Sequence, residues 1–265
     1  MFGFGYTGVI ASMKKLPSGG GNGVLTTAWI TATSETDTTI ISALNTLETD
    51  LTTYGLTAKI KALYPMVGGT SAKHKFNFMD ARDLDAAYRL TFNGGWTHSS
   101  TGALPNGTNA YANTFMAGTV IDKNSTHNVY LRTNSSGLNT DMSILSSGST
   151  MLLMPRFNDV LYADYPYTRD TVANTDSRGN YTMVNASGTG KKVYKNATSV
   201  ISTTFYNENF GGTNFILSAW GYSTISRYSN REIASALLGN AFTAAEIVNY
   251  NTAIQTFQTT LSRNV

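Results

Sequence analysis

The residues best suited to ligand chemistry lie in the stretch LYADYPYTRD, residues 161–170. It contains Tyr162, Tyr165, Tyr167 and Arg169. An aromatic ring can stack on the apolar face of a pyranose, while carboxylate, amide and guanidinium groups bind its hydroxyls. These residues are therefore candidate glycan contacts. The alternative is that the rings fill a core or an interface, because tyrosines also do this and the three rings cannot all point one way.

A second polar stretch, MDARDLDAAYR at residues 79–89, contains Asp80, Asp83 and Asp85. Clustered carboxylate oxygens can bind Ca²⁺. Arg82 and Arg89 lie among them, however, and can neutralise the carboxylates. The sequence therefore favours a salt-bridged turn over a calcium site, and no cofactor is expected.

No combination of residues predicts catalysis. His74, His98 and His127 stand far apart, and none has the i, i+4 partner of a helical zinc site, so each is expected to cap a turn or face solvent. Glycosidases need two carboxylates about 5 to 9.5 Å apart. Between the terminal helical segments the only glutamates are Glu208 and Glu232, and neither belongs to an acid-x-acid-x-acid pattern.

The composition argues against several classes of partner. Charged residues make up 13% of the 265 residues and the net charge is +3, against a usual charged share of about 25%. The basic residues do not cluster as nucleic-acid binding requires. No apolar run approaches the roughly 20 residues of a membrane-spanning helix. Nucleic acid and membrane insertion are therefore not expected, and a chain without cysteine has no disulfides.

Residues 1–27 read as a docking peptide followed by a glycine-rich linker. Phe2, Phe4 and Tyr6 alternate with small residues, which is the period of a strand, and exposed aromatic rings are costly in water. The stretch LPSGGGNG that follows has the composition of a flexible linker. We expect the aromatic peptide to dock onto a partner protein as an added strand, with plain disorder as the alternative.

Residues 28–65 are predicted to form a one-sided helical segment that continues through Ile60 and Tyr64 to Pro65. Its apolar residues recur at spacings of three and four, as on one stripe of a helix: Ile40, Leu44, Leu47, Leu51 and Tyr54. The stripe must be buried against its own chain or against a neighbouring copy. The threonine-rich remainder of the surface favours a neighbour, so we expect a homo-oligomer, preferably a trimer.

From residue 66 onward, short β runs alternate with turns every eight to twelve residues, which indicates an antiparallel β-sandwich. The candidate strands include residues 74–78, 86–92, 127–133, 180–186 and 232–239. Four side chains are predicted to be largely buried: Phe92, Trp96, Tyr111 and Leu217. A closing helix is predicted over residues 243–261, because Thr243 and Glu246 have the spacing of a capping box.

The stretch NGGWTHSSTGALPNGTNAYANT, residues 93–114, resembles an early hairpin region of the laminin-G/concanavalin-like jelly rolls. Residues 228–258 look like the closing strand and helix of the same family. The resemblance implies a jelly-roll β-sandwich over residues 66–265. It also implies that Trp96 and Tyr111 belong to the core and that the turn at 106–109 sets the strand register.

Two stretches, residues 60–114 and 257–265, closely resemble structural proteins of tailed bacteriophages that infect Bacteroidetes-type hosts. The resemblance extends roughly over residues 28–265 and is weakest over 134–230, so it carries over neither binding specificity nor catalytic residues. It implies a head-fibre, tail-fibre or appendage protein that acts by assembling with other virion proteins. Such a protein is made in the host cytoplasm and released by lysis.

The prediction is therefore a structural virion component and not an enzyme, whose jelly-roll head could also display a glycan-binding surface to the host. The alternative is a carbohydrate-binding module of a cell-surface or secreted protein. A glycan-degrading enzyme is disfavoured, because the carboxylate pair that it needs is not evident.

Overall fold

The structure, a computed structural model, describes the following residues: 21–121, 123–146, 149–165, 168–204, 210–221 and 224–265. Phe2, Phe4, Tyr6, Tyr167 and Glu208 lie outside these described residues.

Four helices and seventeen strands form the described fold. The helices are α1 (Val24–Thr33), α2 (Thr38–Thr53), α3 (Ser71–His74) and α4 (Ala244–Thr260). The strands are β1 (Ile60–Tyr64), β2 (Thr91–Asn93), β3 (Trp96–Ser99), β4 (Gly102–Pro105), β5 (Tyr111–Ala117), β6 (Ser125–Leu131), β7 (Met142–Ser146), β8 (Ser149–Phe157), β9 (Val160–Tyr165), β10 (Thr168–Ala173), β11 (Gly179–Ala186), β12 (Gly190–Lys195), β13 (Thr198–Ser202), β14 (Asn214–Leu217), β15 (Trp220–Gly221), β16 (Ile225–Ser226) and β17 (Ile233–Asn240). None of the helices in the described ranges is long and apolar enough to cross a membrane.

Two antiparallel sheets form the sandwich. The eight-stranded sheet has the order β13-β12-β11-β6-β17-β4-β3, and β1 pairs with the far end of β17. The seven-stranded sheet has the order β10-β9-β8-β7-β14-β5-β2, while β15 and β16 form a separate ribbon. The mainly β, jelly-roll sandwich predicted from the sequence is confirmed.

Two cores stabilise this architecture. The first lies between the sheets and is built from alternate residues of the strands, such as Leu153, Leu161 and Val129. The second lies on the outer face of the eight-stranded sheet, where α1, α2 and α4 bury Trp29, Leu47 and Tyr250. The eight-stranded sheet therefore has α1, α2 and α4 on its outer face, whereas these helices do not cover the seven-stranded sheet.

The apolar stripe of α2 packs inside the chain. Leu44, Leu47 and Leu51 are at most 1% exposed, and Ile40 and Tyr54 are half-buried against the same helix–sheet core. The expectation that a neighbouring copy covers this stripe is therefore wrong. The complementary apolar surface comes from α4 and the sheet of the same chain, which are tethered to α2 and so meet it without a cost of association.

Residues 60–64 form a strand, not the predicted helical turn. Tyr64 pairs with Ala236 and Leu63 with Leu237 of β17. Ala62 and Tyr64 enter the core between the sheets, while Leu63 enters the core under the helices. An element buried on both faces has apolar residues without clear alternation, so its local spacing imitates a helix.

The edges of the sandwich also differ from prediction. Residues 74–78 lie at the end of α3 and in a turn, and of residues 86–92 only the last two belong to β2. Leu217 is fully buried as predicted, but Phe92, Trp96 and Tyr111 are half-buried. The reason is position: β2 and β3 are edge strands, and Tyr111 alternates with the buried residues of β5.

The closing helix begins as predicted. The Thr243 hydroxyl accepts a hydrogen bond from the Glu246 backbone amide at 3.3 Å, and the Glu246 carboxylate accepts one from the Thr243 amide at 2.7 Å. The capping box is therefore confirmed. Residue Asn106 closes the predicted register-setting turn in a similar way, because its side-chain oxygen accepts from the backbone amides of Thr108 and Asn109.

Candidate functional site

The β9–β10 hairpin brings Tyr162, Asp164 and Arg169 together on the outer face of the seven-stranded sheet. Side chains alternate along β9, so Tyr162 and Asp164 point away from the core. Arg169 lies directly opposite Asp164 and donates to its two carboxylate oxygens from Nε at 2.8 Å and Nη2 at 2.6 Å. The guanidinium carbon is 5.5 Å from the centre of the Tyr162 ring. We call these three residues the hairpin cluster.

The hairpin cluster is held in place before any ligand arrives. The hydrogen bond to Asp164 raises the pKa of Arg169, which keeps the guanidinium charged. The Arg169 side chain is 49% exposed and that of Asp164 16% exposed. The two hydrogen bonds between Arg169 and Asp164 already fix both side chains, so ligand binding would cost less side-chain entropy. The guanidinium also retains N–H donors that Asp164 does not use.

Tyr165 does not belong to this surface. It is only 2% exposed, its hydroxyl lies 3.2 Å from the Lys123 carbonyl, and its ring packs against Phe210 at 5.0 Å. Tyr162 and Tyr165 are three positions apart on a strand and therefore face opposite sides. The prediction of a glycan contact is wrong for Tyr165, while Tyr167 lies outside the described residues.

Two supporting residues were not predicted from the sequence. Asp164 alternates with Tyr162, and this spacing could have identified it. Lys191 reaches the inner side of the hairpin from β12, where its ammonium donates to the Ala163 carbonyl at 2.8 Å and pairs with Asp170 at 2.7 Å. Burial lowers the pKa of Lys191 and Asp170 opposes this shift. The local sequence of Lys191 has no feature that indicates this distant contact.

The aspartates of residues 79–89 are neutralised by basic neighbours. Each has a partner: Arg82 for Asp80, Lys75 and Arg89 for Asp83, and Arg89 for Asp85. These hydrogen bonds hold the pKa values of Asp80 and Asp83 below the usual range. The described part of the chain contains no group of three or more His, Cys, Asp or Glu side chains that could hold a metal ion. The geometry fits the salt-bridged turn.

His74 and His127 are buried, contrary to expectation, and His98 is half-buried. His74 is 1% exposed, and its Nδ1 lies 2.9 Å from Nδ1 of His98. His127 is fully buried between the sheets, with its ring 5.2 Å from that of Phe215. Burial lowers the pKa of both His74 and His127 to about 3, and in the case of His74 the charges of His98 and Arg263 add to the effect.

Glu232, the described member of the two candidate glutamates, has structural partners. Its carboxylate accepts hydrogen bonds from Nη1 of Arg132 at 2.7 Å and from the Thr101 hydroxyl at 2.5 Å. These contacts connect β17 to β6 and to the β3–β4 turn. Glu232, which directly precedes β17, therefore ties three segments together where the strands of the eight-stranded sheet end.

Comparison by sequence identifies no relatives: no protein-family model matches this chain, and no curated protein matches it.

Comparison by structure finds β-sandwich domains. Domain 4 of AbnA, an extracellular GH43 arabinanase from Geobacillus stearothermophilus in complex with arabinotriose, matches with a TM-score of 0.51 at 12% identity, covering 72% of this chain and 98% of that chain. The binding domain of botulinum neurotoxin serotype D matches with a TM-score of 0.53 at 10% identity, covering 74% of this chain and 52% of that one.

A mutant Trypanosoma rangeli sialidase that displays trans-sialidase activity matches with a TM-score of 0.52 at 8% identity, covering 82% of this chain. The match spans 39% of the sialidase chain and about half of the toxin domain, so it concerns parts of those proteins. At such low identities the similarity is one of fold. The chain shares an antiparallel β-sandwich with these domains.

Proposed function

We propose that this protein binds carbohydrate without catalysing a reaction, and that the hairpin cluster is its sugar contact. One observation carries the proposal: an aromatic ring, a carboxylate and a guanidinium are fixed together on the outer face of a sheet, where the helical layer does not cover them. Stacking on Tyr162 would bury the apolar face of a sugar ring. Asp164 would accept hydrogen bonds from hydroxyls and Arg169 would donate to them.

The fold is compatible with this role. Double-sheet jelly rolls form both lectin and viral capsid domains, so the fold alone does not choose between them. The arabinanase domain that matches this sandwich in structure was solved in complex with arabinotriose. This supports carbohydrate as the ligand class for a chain whose outer sheet face offers a ring beside an ion pair.

The arrangement of acids supports binding without hydrolysis. Glycoside hydrolysis requires two carboxylates that flank the same bond. Asp164 faces outward, whereas Asp170, the next acid along the hairpin, pairs with Lys191, whose side chain is 1% exposed on the inner side. The two carboxylates therefore do not share a site, and the proposed activity is association alone.

Replacing Tyr162 with alanine is expected to weaken sugar binding about fivefold, because the stacking surface of the ring contributes on the order of 1 kcal/mol. Ligands would first be identified on an array of defined oligosaccharides that includes arabinotriose, and affinities then measured by calorimetry. Arg169→Lys should also weaken binding, since lysine retains the positive charge but not the planar set of N–H donors of the guanidinium.

Tyr111→Ala is the matched control. Tyr111 is also a half-buried tyrosine on the outer face of this sheet, but it lies on β5, four strands from β9 and therefore roughly 19 Å away. The Tyr111→Ala variant should bind sugar with the same affinity as the unmodified protein. Failure of every oligosaccharide to bind, or equal losses in both variants, would refute the hairpin cluster as a sugar site.

A second function, assembly into a virion, is favoured by the resemblance of residues 60–114 and 257–265 to phage structural proteins. These two stretches contact each other in the fold. The Arg263 guanidinium donates to the carbonyls of Pro65 and Met66, both at 2.7 Å. The resembling residues thus form one packed unit, as expected if the shared feature is a structural module and not two unrelated motifs.

Virion assembly predicts that the protein co-purifies with particles. Tailed phage particles that encode this chain would be banded on a density gradient and their proteins quantified by mass spectrometry, with a major structural protein as reference. We expect a constant ratio to that protein across the particle peak. Recovery only in the soluble fraction of the lysate would contradict a virion role, while leaving glycan binding open.

A further inference from the structure

A groove lies between α1 and the turn at residues 78–82, in the helical layer and thus on the opposite side of the sandwich from the hairpin cluster. Its volume is about 490 Å³. Most of its lining is apolar: Val24, Leu25, Ala28, Ala32, Phe78, Met79 and Ala81. Val24 is 83% exposed, an unusual state for a large aliphatic side chain.

The groove runs along the whole of α1. Its α1 lining residues recur at helical spacing from Val24 to Ala32, while Trp29 on the other side of the helix is fully buried in the core. Helix α1 has ten residues and is therefore about 15 Å long. Its buried side carries Thr26, Trp29 and Thr33 and faces the core under the helices, while a second, mostly apolar side borders the groove.

We propose that this groove binds the aromatic segment at residues 2–6 of the same chain. Five extended residues span about 16 Å, which matches the length of α1. In an extended segment Phe2, Phe4 and Tyr6 share one side and can enter the groove together. Burying these rings also removes the solvation cost of an exposed aromatic cluster.

The position of the groove explains why the occupant is the same chain. The groove begins at Val24, directly after the glycine-rich linker, and residues 7–20 can extend to about 45 Å. That reach is enough to turn back and run alongside α1. A short tether gives an effective concentration in the millimolar range, so the chain's own segment outcompetes that of another copy at ordinary protein concentrations.

Binding of the aromatic segment in the groove does not depend on sugar binding, and its part in assembly rests on the proposed virion function. The aromatic segment occupies the groove in the free protein and leaves it to dock onto another virion chain. The groove therefore shields rings that would otherwise promote premature association.

Disulfide trapping tests the proposal directly, because the full chain has no cysteine of its own. Gly5→Cys retains the three aromatic residues, and Ala28→Cys places the second thiol on the exposed, groove-lining side of α1. Mild oxidation should join them within one chain, as seen by a faster-migrating monomer on a non-reducing gel. Thr256→Cys replaces Ala28→Cys in the matched control, since Thr256 is exposed on α4 outside the groove.

The cross-link with Ala28→Cys should form at least fivefold faster than the control, and changing Phe2, Phe4 and Tyr6 to serine should remove the difference. Circular dichroism would confirm that each variant is folded, and Thr31→Cys can replace Ala28→Cys if it is not, because Thr31 also lines the groove. Equal rates in the two positions would overturn the proposal. Predominantly interchain dimers would also overturn it, since the occupant would then be a second copy.

Discussion

Replacing Arg231 with alanine is expected to destabilise the fold by about 3 to 5 kcal/mol, a large fraction of the stability of an ordinary domain. Arg231 and Asp141 are both fully buried, and Nη1 lies 2.7 Å from the carboxylate. The guanidinium also donates to the backbone carbonyls of Ser135 and Asn139. Its removal leaves the buried Asp141 carboxylate without its charged partner, with the Ser229 hydroxyl still donating to it, and leaves several buried carbonyls without this donor.

The cost arises from the group left behind. Burial already raises the pKa of Asp141, and Arg231 and Ser229 are the groups that oppose this shift. Without Arg231 the carboxylate must either remain charged in an apolar environment or take up a proton. Urea unfolding followed by tryptophan fluorescence would measure the loss.

A double-mutant cycle separates the pair from the rest of the network. Adding Asp141→Asn to Arg231→Met should restore part of the stability lost in Arg231→Met, because no unpaired charge remains. Arg178→Ala is the control, since Arg178 forms a similar fork with Asp176 on the exposed surface and its loss should hardly move the unfolding midpoint. Equal effects of Arg231→Ala and Arg178→Ala would show that the buried pair does not stabilise the fold.

Acidification between about pH 6.5 and pH 5 is expected to lower the free energy of unfolding by about 1.5 kcal/mol for each of His74 and His127. Their folded-state pKa values are about 3, whereas an unfolded histidine titrates near 6.5. The unfolded state therefore binds more protons in this window, and stability falls as the pH falls. Paired carboxylates such as Asp80 and Asp83 contribute only at lower pH, below their unfolded values near 4.

His127→Phe should reduce this pH dependence by roughly half without loss of stability at pH 7. The His127 ring lies among Tyr165, Phe210 and Phe215, and neither of its nitrogens has a hydrogen-bond partner among the described residues. Phenylalanine fills similar space without a buried polar group. Unfolding curves at pH 7 and pH 5 would be compared with the histidine titrations seen by NMR. A His127 signal titrating near pH 6.5 in the folded protein would contradict the prediction.

Elements whose signals are local could be predicted from the sequence. The capping box of α4 requires only Thr243 and Glu246, three positions apart, and its apolar stripe repeats with the helical period. The main strands of the sandwich, such as β6, β11 and β17, were predicted within a residue or two because turn residues bound them. In each case the side chains that decide the conformation are neighbours along the chain.

Features that depend on which faces meet could not be predicted from the sequence. The α2 stripe indicates a buried face, but its spacing is the same whether α4 or a neighbouring copy covers it. Alternation in β9 places Tyr162 and Tyr165 on opposite sides without saying which side is the core. Residues 60–64 were predicted as helix because their pairing with β17, far along the chain, is absent from the local pattern.

Long-range polar contacts arise only when distant parts of the chain fold together. Asp141 and Arg231 are 90 positions apart, and His74 and His98 are 24 apart. Asp141 and Arg231 look in sequence like ordinary surface residues, since Asp and Arg are mostly exposed. These side chains lose contact with water only when the sandwich folds. A buried polar group without a partner is costly, so these groups pair with residues far along the chain. His127 instead remains neutral.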